Sequence, residues 1–123
     1  MSNSNKFNIE EKPAFIIVRI LIGRLGLFET PDILAGVESF LKSRDYPNTL
    51  IDLSGTAVID STGIGFLIAI NNLVVKKGNK MVITGISERV GEIFRITKMS
   101  TFFKTSENTG EAEKFFTPGG KNQ

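Results

Sequence analysis

Residues 14–22 read AFIIVRILI, a nearly continuous apolar and β-branched run that predicts a strand covered on both faces. Residues 7–10 are placed to pair with it across Glu11-Lys12-Pro13. At Thr30-Pro31-Asp32 a capping hydroxyl, a proline at the first helical position and an acid at the positive helix end mark a helix start. Ile33, Leu34, Val37, Phe40 and Leu41 then recur at helical spacing until Asp45-Tyr46-Pro47-Asn48 stops the pattern. Residues 49–53 (TLIDL) predict a short strand, residues 61 to about 77 a helix closed by Gly78-Asn79, and residues 80–86 (KMVITGI) a further strand. Ser87 is positioned to cap a helix carrying Val90, Ile93, Phe94 and Thr97 on one side. Residues 101–104 read as a last strand and residues 111–116 as a short closing helix.

Elements that alternate in this way predict an α/β fold. The expectation is one domain over residues 7–116, a mixed, mainly parallel sheet of four to five strands, and about four helices joined by right-handed crossovers. The polar residues 1–6 and the Gly- and Pro-containing residues 117–123 predict flexible ends. No internal repeat is present.

Composition narrows the chemistry. A chain of 123 residues with 41% hydrophobic and 23% charged residues suits one globular domain. Cys and His are both absent, which removes disulfides, thiolate and imidazole metal sites, and any His-based triad or general base. The net charge is only +2 with Lys and Arg scattered, so a nucleic-acid surface is not expected. The apolar run at residues 64–70 stops at Asn71-Asn72, far short of the ~20 residues a spanning helix needs, and residues 1–12 hold no apolar signal core. The expectation is a cytoplasmic protein with no membrane partner and no cofactor.

The stretch that does not read as ordinary core is VIDSTGIGF, residues 58–66. Gly63-Ile64-Gly65 is followed by Ile68 where a dinucleotide fingerprint needs its third glycine, no glycine is followed by Lys and then Ser or Thr as in a P-loop, and position 59 is Ile where a nucleophile elbow needs Gly. Asp60 or Ser61 can cap the next helix, with the glycines allowing its first turn close to a strand. Ile64, Phe66, Leu67, Ile68 and Ile70 surround that helix axis, so the helix is either buried on several sides or keeps one side for a partner. The partner reading expects at least one of Ile64, Phe66, Leu67 and Ile70 to be substantially exposed. A hydroxyl at a helix start is also a natural place for phosphate, because free backbone N–H groups and the helix dipole favour negative charge there.

The run IDLSGTAVIDSTGIGFL resembles the signature of STAS domains, specifically of bacterial anti-sigma factor antagonists, in which a strand and loop lead into D-S-[ST]-G-[LI]-G at a helix start. Gly23-Arg24-Leu25, residues 81–86 before Ser87, and residues 90–99 leading into Phe102-Phe103 extend the resemblance over nearly the whole chain. It implies a STAS-like single domain and a binding protein instead of an enzyme. It further implies that Ser61 is phosphorylated by a partner that is both serine kinase and anti-sigma factor, and that a metal-dependent serine phosphatase reverses this. On that reading the unmodified protein binds the anti-sigma factor and frees a sigma factor. Asp60, Thr62, Gly63 and Gly65 fill the neighbouring motif positions, and Ile64, Phe66 and Leu67 fall on the partner-binding helix. Where the family commonly has an acid after G-x-[LI], this chain has Gly26. That departure points toward a divergent partner or a stressosome-like scaffold role. The alternative function is a constitutive STAS scaffold or lipid-transport accessory in which Ser61 is only a cap.

Overall fold

The structure is a computed structural model that describes residues 5–116. The expected flexible ends fall outside the described residues, except for Asn5 and Lys6. In chain order the elements are β1 (Phe7–Glu11), β2 (Ile16–Ile20), β3 (Arg24–Leu25), α1 (Thr30–Ser43), β4 (Thr49–Asp52), β5 (Val58–Ile59), α2 (Ser61–Lys76), β6 (Met81–Thr84), α3 (Glu88–Ile96), α4 (Met99–Phe102), β7 (Lys104–Thr105) and α5 (Thr109–Phe116). The main sheet has five strands in the order β1-β2-β4-β6-β7. Only β1 runs antiparallel, pairing Phe7 with Ile20 and Glu11 with Ile16. The remaining pairings are parallel, so the mixed, mainly parallel α/β reading of the sequence holds.

The continuous apolar character of β2 follows from its place inside the sheet. Ile16, Val18 and Ile20 join the larger core with α1, α2 and α3, while Phe15 and Ile17 turn to the other face and meet Leu50, Val82, Ala112 and Phe116 under α5. Successive side chains point to opposite faces, both of which are covered except at Arg19, which is half-buried and pairs with Glu10 and Asp52. The closing helix is therefore the lid of a second, smaller core, with Phe15 and Phe116 stacked at 4.8 Å.

Two local expectations change. Residues 99–102 form a helical turn in place of the strand expected over residues 101–104, and the last strand begins at Lys104. Lys98 adopts a left-handed conformation (φ 68°) that ends the run of α3, and Phe103 then folds back onto Phe94 with ring centroids 5.5 Å apart. Burial of Phe103 sets where pairing can resume, and a four-residue window of sequence does not carry that information. At the start of α1, Thr30 is not the cap. Glu29 holds the cap position without a side-chain cap hydrogen bond, and the Thr30 hydroxyl donates to the Gly26 carbonyl.

Candidate functional site

β3 and β5 pair with each other in a separate two-stranded parallel sheet, Arg24 with Val58 and Leu25 with Ile59. Two-residue strands leave no periodic trace in a sequence, so this sheet is not legible there. The backbone N–H groups of Ala57 and Val58 both donate to the Gly23 carbonyl, and the Thr56 hydroxyl donates to the Ile22 carbonyl at 3.0 Å. These bonds bring the segment after β2 against the segment before α2.

α2 begins where that small sheet ends. Asp60 is its cap: the backbone is extended (φ −115°, ψ −172°), and Oδ1 accepts from the N–H of Thr62 at 2.8 Å and of Gly63 at 3.2 Å. A carboxylate there satisfies two of the unpaired N–H groups of the first turn and places negative charge at the positive end of the helix. Ser61 follows as the first helical residue and is exposed, while Thr62 is only partly so. Of the two candidate caps, Asp60 takes the role and Ser61 is left facing solvent.

The two glycines of the motif do different things. A methyl group on Gly63 would overlap the carbonyl oxygen of Leu25 and reach Ile59 Cγ1 at 2.7 Å. Gly63 is thus the point at which α2 rests directly on the small sheet, and it sets how far the helix start stands from β3. Gly65 is exposed, and a methyl group there would meet nothing within 4 Å. It lies one turn beyond Ser61, on the same side of the helix, and leaves the backbone beside Ser61 bare.

Gly26 joins this site from the other side. A methyl group on it would sit 2.7 Å from Asp60 Oδ2, so the turn that follows β3 packs against the carboxylate that caps α2. An acidic side chain at position 26 would stand beside Asp60 in the structure as it is. Sequence reading singled out Gly26 but not the exposed residues after it: Leu27 and Phe28 are 60% and 84% exposed. Their signal was two large apolar residues between a glycine and a helix start.

The expectation that Ile64, Phe66, Leu67 or Ile70 would be substantially exposed is overturned. Their relative exposures are 9%, 1%, 0% and 0%. α2 packs against α1, β5 and β6, so it is enclosed on several sides and its all-round apolar character is core. Ile64, Phe66 and Leu67 belong to the core that holds the helix in place. Asp60, Ser61, Thr62, Gly63 and Gly65 do lie together at the helix start. Among the described residues, no cluster of acidic, Cys or His side chains suited to a metal ion occurs, and no helix is long and apolar enough to cross a membrane.

The mixed five-stranded sheet, with α2 starting at the Asp60 cap against the small β3–β5 sheet, is the fold of one known family. The chain belongs to the STAS domain family, whose model matches residues 6–112. An anti-sigma-B factor antagonist of Staphylococcus aureus is 24% identical over 87 residues, covering 71% of this chain and 80% of that one. The crystal structure of a Thermotoga maritima protein described as an anti-sigma factor antagonist superposes with a TM-score of 0.81 at 17% identity, covering 89% of this chain and 93% of that one. The phosphorylated form of the Bacillus cell fate determinant SpoIIAA superposes with a TM-score of 0.66 at 15% identity, covering 87% of this chain and 96% of that one. At these identities the structural likeness is one of fold.

Proposed function

We propose that this protein is an anti-sigma factor antagonist switched at Ser61. The unmodified form binds an anti-sigma factor that is also a serine kinase and so releases a sigma factor. Phosphorylation of Ser61 by that kinase ends the binding, and a metal-dependent serine phosphatase restores it. The observation that carries the reading is the exposure of Ser61 at the first position of α2, directly after the Asp60 cap, in a chain whose motif matches the family's at that position. The solved phosphorylated form of SpoIIAA supports the same reading, because a protein of this fold accepts the modification.

The physics is favourable. Phosphoserine adds about −1.5 to −2 charge at pH 7. At the first helical position it is stabilised in the free protein by the helix dipole and stripped of water in a docked complex, so the modification favours the free form. Moving a complex from 99% bound to 1% bound requires ~5.5 kcal/mol of differential affinity, a magnitude within reach of one desolvated doubly charged group. Thr62 is the worse acceptor because it is half-buried and its β-branched side chain is stiff at χ1.

Incubation with a serine-kinase anti-sigma factor and ATP, followed by mass spectrometry, tests the assignment. One phosphate on Ser61 is expected. Ser61→Ala should bind the kinase constitutively, Ser61→Asp weakly, and Thr62→Ala should keep regulated binding. Phosphate on Thr62, or a Ser61→Ala protein phosphorylated as readily as the parent, would move the protein to the constitutive scaffold or lipid-transport accessory reading.

A further inference from the structure

We propose that the cleft at the carboxyl ends of β6 and β7, walled by α3 on one side, binds a small zwitterion of the α-amino acid class, with Arg95 holding its carboxylate and Glu107 its ammonium group. The cleft shares no lining residue with the Ser61 corner, so the proposal goes beyond the functional reading above and does not rest on it.

The cleft has a volume of about 660 Å³, inside the range of roughly 300–1,000 Å³ usual for small-molecule sites. Its position is also the usual one. In open α/β sheets ligands bind outside the carboxyl ends of the strands, and β6 and β7 run parallel, Val82 beside Lys104 and Ile83 beside Thr105, so both end here. The wall that follows β7 is held by the Ser106 N–H, which donates to the Ile83 carbonyl at 2.9 Å, and by the Thr84 hydroxyl, which donates to the Ser106 carbonyl at 3.2 Å. The site is therefore built before any ligand arrives.

Its floor is apolar, made by Ile86 and by Phe94, which is buried against Phe103. The polar groups around that floor are uncommitted. Among the described residues, the side chains of Arg95, Ser100, Thr105 and Glu107 take part in no hydrogen bond or ion pair, although Arg95 and Glu107 carry opposite charges on the same cleft. A simple anion such as phosphate would be drawn to Arg95 and repelled by Glu107, and a simple cation would meet the reverse; a molecule carrying both charges is matched to both.

Gly91 is an independent mark of the same cleft. Glycine is disfavoured inside a helix, and Gly91 lies in the middle of the nine-residue α3. Packing does not call for it, because a methyl group there would meet Ile86 Cγ2 at 3.6 Å and Arg95 Nη1 at 3.9 Å, both ordinary contacts. The missing side chain keeps the cleft open, one turn from Arg95 on the same face of α3.

The test is an amide-resolved NMR titration of the full chain with L-leucine, L-phenylalanine and L-glutamine, each taken to millimolar concentration. At least one should move the amides of Gly91, Arg95, Thr105 and Ser106 in a saturable way. For the amino acid that binds, the amide of its carboxylate and the analogue lacking its ammonium group should each bind roughly ten- to hundredfold more weakly, the worth of one charge-assisted hydrogen bond. Arg95→Gln and Glu107→Gln should lose affinity to the same extent, Gly91→Leu should fill the cleft and abolish binding, and Arg89→Gln, which removes a charge of α3 outside the cleft, should leave it unchanged. Circular dichroism melts check each fold; if Gly91→Leu does not fold, the variants at Arg95 and Glu107, both exposed, decide the matter. No saturable shift with any of the three amino acids overturns the proposal, as does parent-like affinity for Arg95→Gln or Glu107→Gln. Inorganic phosphate or the analogue lacking the ammonium group binding as tightly as the amino acid would make the cleft a plain anion site and overturn it equally.

Discussion

Replacing each motif glycine of α2 with alanine should move stability in opposite directions, although the two positions are only two residues apart in one helix. Alanine is favoured over glycine in a helix interior by about 1 kcal/mol, because it restricts the unfolded chain. At Gly65 nothing opposes that gain, since an added methyl group meets no atom within 4 Å, and Gly65→Ala should stabilise by ~0.5–1 kcal/mol. At Gly63 the methyl group would overlap the Leu25 carbonyl oxygen and press on Ile59 Cγ1 at 2.7 Å. Neither neighbour can recede easily. Leu25 and Ile59 are paired with each other and are 0% and 5% exposed, and the Leu25 carbonyl also accepts from Asp60 N–H. Overpacking a well-filled site costs about 1–3 kcal/mol, and a rigid main-chain oxygen places this case at the upper end. After the propensity gain is subtracted, Gly63→Ala should destabilise by ~2 kcal/mol. Urea unfolding followed by circular dichroism reads both. With a slope of about 1–3 kcal/mol per molar, the midpoint of Gly63→Ala should fall by ~1 M and that of Gly65→Ala should rise by a few tenths. Two variants that shift the same way, or a Gly63→Ala protein as stable as the parent, would refute the claim that α2 rests on β3 through Gly63.

Removing the cap with Asp60→Ala should cost about 1 kcal/mol, and Asp60→Asn much less, in the same unfolding assay, because Asn retains an oxygen for the Thr62 and Gly63 N–H groups. Phe66→Ala should lose ~3–5 kcal/mol and fail to show a specific binding defect at temperatures where it is folded, as expected of a core residue that is 1% exposed. Acid should weaken the edge of the sheet: the hydrogen bond from Arg19 holds Glu10, and that from Arg44 holds Glu11, below the ordinary carboxylate value of 4.5. A depressed carboxylate pKa contributes stability that is present above the unfolded value and lost as pH falls through the folded one, so the contribution is complete above about pH 4.5 and fades below it. Stability measured across pH 7 to 3 should therefore fall less steeply for a Glu10→Gln, Glu11→Gln double variant than for the parent.

What the sequence determines by itself is the part governed by local periodicity and capping chemistry. The apolar run of β2, the helical spacing of Ile33, Val37, Phe40 and Leu41, the Ser87 cap with its hydrogen bond from Val90 N–H, and a helix beginning at Ser61 are all read from neighbours a few residues apart, where the strand and helix periods operate. The clustering of Asp60, Ser61, Thr62, Gly63 and Gly65 at that helix start is legible for the same reason. The tertiary structure decided everything that depends on segments far apart in the chain. It alone pairs Arg24 and Leu25 with Val58 and Ile59, seats Gly26 against Asp60, and moves the last strand to Lys104 because Phe103 must be buried on Phe94. It also separates the two meanings of an all-round apolar helix. A single sequence shows which residues avoid water, but only the packing of α1, β5 and β6 around α2 shows that they succeed, leaving Leu27 and Phe28 as the apolar groups exposed beside Ser61's corner.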